Sequence, residues 1–244
     1  RNGRAEMHTT ISLDRGGWHG WRWLRARSSS GWGCGSGGRN EPGEKRKCDM
    51  HKLLIDIPDR IETERLVLRR YQAGDGAWYY PMSQQNQPHL ARYESGNPVM
   101  GIHSEEEAEI VVRDFAADWA ARNAFFMGAF LKDTLEFAAQ IYVGVVNWEL
   151  PEFEIGFFAE QAHEGKGYVT EAVRGAIRFC FEVLGACRVS LRCDDTNARS
   201  YGVADRCGMV REGHIRKDKR HADGSLSGTL IYGLLRSEFE ARKA

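Results

Sequence analysis

The 244-residue chain has no charge surplus of either sign, because 34 Lys and Arg balance 34 Asp and Glu. Without a net field there is no global attraction to nucleic acid or to an anionic membrane, and neither is expected as a partner. No apolar run approaches the length needed to cross a bilayer. The opening residues, Arg1 to Thr10, are polar and lack the apolar stretch of a secretory signal. The six cysteines include no Cys-x-x-Cys pair and have no His-x-x-x-His partner, which argues against a zinc site. Cys180 and Cys193 lie in apolar-patterned segments and read as buried thiols in a reducing, cytoplasmic setting.

Periodicity is hard to find before Met50. Gly16-Gly17, Ser28-Ser29-Ser30 and the run Gly31 to Gly38 precede a charged stretch, Glu44 to Lys47, with Trp18, Trp21, Trp23 and Trp32 interspersed. Such a segment buries little apolar surface against its ordering entropy. Residues 1–50 are therefore expected to be a disordered or non-native extension, with Met50 as the natural start and 51–244 as the folded domain.

From His51 the pattern becomes globular. Leu66-Val67-Leu68 predicts a first strand, and Asp75 opens a short helix around Ala77 to Gln84. Gln85 to Gly101, with Pro88 and Pro98, predicts a loop. Ser104 with Glu107 forms a capping box that opens a helix carrying Ala108, Val111, Val112, Phe115 and Trp119 at helical spacing. Phe125 to Leu131, Phe137 to Trp148 and Glu152 to Ala159 predict an antiparallel meander. A helix to about Leu184, a strand from Arg188 to Cys193 and a short helix from Asn197 to Arg206 follow. Two last strands, Met209 to Arg216 and Gly228 to Leu235, enclose a charged loop. The fold class is α+β, a mixed sheet flanked by helices.

The most informative stretch is Glu164-Gly165-Lys166-Gly167-Tyr168-Val169-Thr170-Glu171-Ala172, between a strand and a helix. A glycine-rich turn at a helix start presents free N–H groups at the positive end of the helix dipole, suited to phosphate. Glycines let the backbone approach a ligand with no Cβ in the way. By itself the turn is equally well an ordinary tight loop.

Three blocks together resemble the GNAT superfamily of acyl-CoA-dependent N-acetyltransferases, in its RimJ/RimL-like branch. They are Glu62 to Arg69; Glu154-Ile155-Gly156-Phe157-Phe158 with the glycine turn; and Asn197-Ala198-Arg199-Ser200 with Cys207-Gly208-Met209, Glu212-Gly213 and Arg216. The resemblance covers roughly residues 61–240. It implies a mostly antiparallel twisted sheet with two splayed central parallel strands, holding acetyl-CoA as co-substrate and no metal. Pantetheine would lie in the gap, and the pyrophosphate on Gly165, Lys166, Gly167 and Val169, beside Tyr168 and Thr170. Family members usually carry Arg or Gln at the position of Glu164 and Gly or Ala at that of Val169. Glu164 would oppose pyrophosphate unless it turns away, for example toward Lys166.

Acetylating an amine requires a proton acceptor, and a partly buried carboxylate can serve. On the resemblance this is Glu154, with Glu152 on the same strand face as its competitor. A strand N–H at Phe157 or Phe158 would stabilise the oxyanion. The family's leaving-group tyrosine aligns with Ala204; the branch commonly lacks it and keeps a serine near the sulfur, which corresponds to Ser200. Asn197 reads as a helix N-cap and cofactor contact. The helix from Ser104, the loop Gln85 to Gly101 and the hairpin Lys217 to Ser227 would border the acceptor cleft. Tyr79, Tyr93 and Trp148 could line it, and Asp75, Glu94 and Glu149 could attract a cationic amine. The implied function is acetyl transfer to a primary amine, either a protein N-terminus or a small molecule such as an antibiotic. The alternative is a non-catalytic acyl-CoA-binding module. A homodimer is an expectation from the resemblance alone.

Overall fold

Eight consecutive buried residues, Ala124–Leu131, form a strand that is apolar on both faces. Such a strand needs a helical layer on each side of its sheet. The computed structural model describes residues 51–243 and shows this arrangement; the expected extension over 1–50 lies outside the described residues. The strands are β1 (Arg60–Glu62), β2 (Leu66–Arg70), β3 (Ala124–Leu131), β4 (Phe137–Asn147), β5 (Glu152–Ala159), β6 (Arg188–Asp194), β7 (Val210–Arg220) and β8 (Leu226–Leu235). They form one sheet in the order β1-β2-β3-β4-β5-β6-β8-β7. Every neighbouring pair is antiparallel except β5 and β6, which are parallel.

Alternation along the strands sorts side chains onto the two faces. Phe126, Phe158 and Tyr71 pack under α1 (Gly76–Leu90) and α2 (Glu105–Ala121). Phe125, Ile141, Phe153 and Ile155 join the larger core with α3 (Tyr168–Arg178), its π-helical continuation Phe179–Val183, and α4 (Ala198–Arg206). A last helix, α5 (Arg236–Ala241), stacks Phe239 on Phe181.

The meander, the helix after the glycine turn and the strand following it appear where the pattern predicts them. Ser104 caps α2 by accepting from the Glu107 N–H at 3.2 Å, but the Glu107 carboxylate returns to the His103 N–H at 2.6 Å rather than to Ser104.

Two loops prove shorter than expected. The one predicted over Gln85–Gly101 begins only after Leu90, because α1 runs through both Pro81 and Pro88. Tyr79, Met82, Ser83, Asn86 and Leu90 make one buried face there, and packing against α2 outweighs the lost N–H donors. The charged stretch after Arg216 also continues as strand, to Arg220, past a bulge between Ile215 and Lys219. Nearly all of β7 is exposed at the sheet edge, so it carries no burial signal. The sequence pattern predicts neither the short β1 nor α5.

Candidate active site

β5 and β6 pair only at Glu152–Arg188, Phe153–Val189 and Glu154–Ser190. Beyond Glu154 the two strands part, because β5 keeps its register with β4 through Ala159 while β6 keeps its own with β8 through Asp194. A cleft of about 560 Å³ opens between them, lined by Glu154 to Phe157 on one side and Leu191 to Asp194 on the other.

The backbone groups facing this gap follow from alternation in an antiparallel pair. Glu160 donates its N–H to Ala138 of β4, while the Pro151 carbonyl accepts from Cys187 on the β6 side. Odd-numbered residues of β5 therefore face β6, which directs the Phe157 N–H into the cleft. The Phe158 N–H faces β4 and its ring lies in the core under α1 and α2. Of the two expected oxyanion donors, only Phe157 is aimed at the gap.

The glycine turn lies at the start of α3. Gly165 and Gly167 have φ of 74° and 81°, the left-handed region open to glycine. Gly167 caps the helix without a side chain, and the first intrahelical bond is Glu171 N–H to the Gly167 carbonyl at 3.1 Å. The N–H groups of Tyr168, Val169 and Thr170 are left without intrahelical acceptors, which is the chemistry that holds a pyrophosphate. Val169 packs its side chain against the core, so its bulk is not on the ligand side. Thr170 is buried; its hydroxyl accepts from Arg206 Nε at 3.2 Å. Glu164 does turn away, though not to Lys166. It pairs with His89 Nε2 at 3.0 Å and with Arg199 Nη1, while Lys166 Nζ sits 3.4 Å from His163 Nδ1.

Asn197 and Ser200 line the cleft from α4. The Asn197 side chain caps the helix, accepting from the Ser200 N–H at 3.2 Å. Burial pushes the pKa of the Cys193 thiol up to about 11, against the lowering influence of Ser200. Ala204 is fully buried and Tyr201 packs against the core.

On the opposite face of the split stands Glu154, 4% exposed, with Oε1 buried and without a hydrogen-bond partner. Burial raises its pKa to about 7, against the opposing field of Arg192, whose Nε lies 3.8 Å from Oε2. Glu152, its competitor, is tied to Arg188 Nε at 2.9 Å, outside the cleft lining. Beside Glu154, Tyr142 lies across Gly144, where a Cβ would collide with the phenol. Its pKa is pushed to about 12 by burial and, next, by the charge of Glu154.

Two segments wall this face, the loop Arg92 to Asn97 and the end of the β7–β8 hairpin, Asp218 to His221. No α2 residue lines it. Glu94 faces the cleft, and burial raises its pKa to about 7 as well. Tyr93 lines it too and points its hydroxyl at the Thr196 carbonyl, 3.4 Å away. The other acceptor-side residues expected from sequence are elsewhere: Tyr79 bonds Gln140 in the core, Trp148 bonds the Arg122 carbonyl, Asp75 is paired with Arg69, and Glu149 sits on the β4–β5 turn. His221 joins the two walls, with Nδ1 donating to the Arg92 carbonyl at 3.2 Å and Nε2 2.8 Å from Ser227 Oγ and 3.3 Å from Asp194 Oδ2.

Sequence reasoning missed Tyr142 and Arg192, and it placed Lys219 and His221 at the cleft only as part of the hairpin Lys217 to Ser227. The signal for the first two was faint: polar Gln140 and Tyr142 alternate along an apolar strand, as do Ser190, Arg192 and Asp194. No group of three or more His, Cys, Asp or Glu among the described residues could hold a metal ion, and no described helix is long and apolar enough to cross a membrane.

Residues 65–210 match the acetyltransferase (GNAT) domain family. The chain is 26% identical over 182 residues to YdaF of Bacillus subtilis (strain 168), named as a candidate ribosomal N-acetyltransferase, covering 74% of this chain and 96% of that protein. Among solved structures, Mycobacterium smegmatis RimJ in complex with CoA-disulfide superposes with a TM-score of 0.65 at 20% identity, over 80% of this chain and 98% of that one. The microcin C7 self-immunity acetyltransferase MccE, in complex with acetyl-CoA and AMP, gives 0.63 at 18% identity, over 71% and 93%.

Proposed function

Since the chain belongs to the GNAT acetyltransferase family, we propose that it moves the acetyl group of acetyl-CoA to a primary amine, with Glu154 as the proton acceptor. The observation that carries this reading is the position of Glu154 at the point where β5 and β6 part. It is buried, has one oxygen unpartnered, and has a pKa raised to about 7. A carboxylate tuned close to neutral pH is well matched to deprotonating an ammonium.

Acetyl-CoA fits the residues present. The free N–H groups at the start of α3, cradled by Gly165 and Gly167, would hold the pyrophosphate with Lys166 at the rim. The parted strands leave room for pantetheine, and the Phe157 N–H would donate to the oxyanion. Coenzyme A supplies the activated thioester. Ser200 would sit near the departing sulfur and Asn197 against the cofactor arm. The acceptor is a protein N-terminal amine, a reading supported by the ribosomal N-acetyltransferase name of YdaF, or a small-molecule amine, a reading supported by the microcin self-immunity name of MccE. A cytoplasmic setting and a homodimer belong to the same proposal.

Acetyl-CoA titrated calorimetrically, followed by thiol release with a panel of amines, tests this reading. Cofactor binding with turnover that collapses in Glu154→Gln supports it; binding without turnover of any amine overturns it.

A further inference from the structure

The mouth on the Glu154 face has cations that its own carboxylates do not answer. Lys219 pairs across the hairpin with Ser227, so both side chains share the face on which Asp194 and Ser227 meet. The bulge between Ile215 and Lys219 includes Lys217 at a φ of 55°, a left-handed conformation rare for a residue with a side chain. Bulges that re-aim side chains are characteristic of site rims. This one lets Asp218 accept from Thr229 Oγ1 at 2.8 Å and sets Lys219 in the cleft lining.

Three of the carboxylates nearby have partners other than Lys219. Asp194 receives bonds from Thr196 and Ser227 and lies 3.3 Å from His221. Glu154 has Arg192, and Asp218 has Thr229. Lys219 has no carboxylate within ion-pair distance among the described residues, although its field reaches Glu94, Glu154 and Asp194. Arg92 and Arg220 line the same mouth, again without an ion pair, though Asp223 lies within the field of Arg92. Glu94 and Glu154, with Arg192 beside the latter, thus line the inner wall, while the cations without ion pairs, Lys219, Arg92 and Arg220, stand at the rim.

Building on the acetyltransferase reading, we infer that the acceptor is an amine with an anionic group a few bonds away, its amine directed to Glu154 and its carboxylate or phosphate to Lys219. An anion there would complete an ion pair that the protein leaves open, while a second cation at the rim would meet like charge. The shared chemistry admits an acidic peptide N-terminus or a small amino acid.

The test compares isosteric pairs on the full chain with acetyl-CoA: Ser-Asp-Glu against Ser-Asn-Gln peptides, and free amino acids against their amides. The anionic member should show a kcat/KM about tenfold or more above its neutral partner at low salt, shrinking as salt is added. Lys219→Ala should reduce that ratio and Lys219→Glu should invert it, whatever either change does to the absolute rate. Preference in the peptide pair alone, or in the amino-acid pair alone, identifies the source. Equal rates within both pairs, or a ratio indifferent to Lys219, overturn the inference while leaving the acetyltransferase reading intact. If no acceptor turns over although acetyl-CoA binds, the acetyltransferase reading fails and this inference with it.

Discussion

The Glu171 carboxylate is held by Arg65, whose backbone N–H and Nε both donate to it at 2.7 Å. Thr63 adds a third bond at 2.6 Å. The β1–β2 turn is thereby fastened to the first turn of α3, the helix whose N–H groups would receive pyrophosphate. Arg65 also donates to the Lys166 carbonyl at 3.2 Å and stacks over the Tyr168 ring. Two blocks that look unrelated in sequence are one unit that fixes the glycine turn in space.

Replacing Glu171 with Ala should therefore loosen the turn as well as the fold. Losing the bonds from Thr63 and Arg65 should cost about 1 kcal/mol, read as a lower midpoint in urea unfolding, since the exposed Arg65 donors can turn to water. Acetyl-CoA affinity should fall as well. Burial alone would raise the Glu171 pKa, but the bonds from Thr63 and Arg65 prevail and lower it. Its contribution is present above the ordinary carboxylate pKa and should disappear as pH falls through the depressed value. Unfolding curves for the variant and the parent should accordingly converge in acid; a gap that persists unchanged would contradict this account.

Gly167→Ala should weaken acetyl-CoA binding more than it weakens the fold. The added methyl meets only Arg65, at 3.6 Å, so the burden is conformational, about 1–2 kcal/mol for a left-handed residue. If the backbone relaxes to escape that strain, the N–H cradle moves with it. Calorimetric titration alongside thermal unfolding separates the two effects. Equal affinity in parent and variant would show that the turn does not hold the cofactor.

Glu164 offers a sharper test, because its charge is answered by Arg199, with His89 Nε2 3.0 Å away. Glu164→Gln should change acetyl-CoA affinity by less than about tenfold, since a paired carboxylate repels an anion weakly. Arg199→Ala leaves Glu164 facing the pyrophosphate site with His89 alone and should weaken binding by a larger factor. The double variant should recover part of that loss. Additive effects would mean that Glu164 and Arg199 do not act as a pair.

The parts legible in sequence are those in which local pattern and tertiary demand agree. Alternation gave the meander, the glycines gave the start of α3, and Asn197 gave the cap of α4. Illegible parts depend on packing or on long-range placement. The prolines at 81 and 88 signal a break, yet the buried face from Tyr79 to Leu90 keeps α1 intact. The hairpin Lys217 to Ser227 is expected at the cleft from the resemblance, but nothing local shows that a bulge sets Lys219 in its lining or that His221 reaches Arg92 opposite. Glu154 could be named from resemblance, but its separation from Glu152 rests on Arg188, which claims one carboxylate and not the other.

The pH dependence of turnover discriminates between the two raised carboxylates. Burial lifts both Glu154 and Glu94 to about 7. A general base works in its ionised form, so kcat should rise with pH through about 7 and then level, provided acetyl transfer limits the rate. Glu154→Gln removes the base, should lower kcat by about a hundredfold to ten-thousandfold, and should erase that limb of the profile. Glu94→Gln leaves Glu154 in place, so the limb should persist, while KM for the amine rises because the inner wall has lost a charge. Should the limb vanish with Glu94 and survive the loss of Glu154, the roles assigned to the two carboxylates must be exchanged.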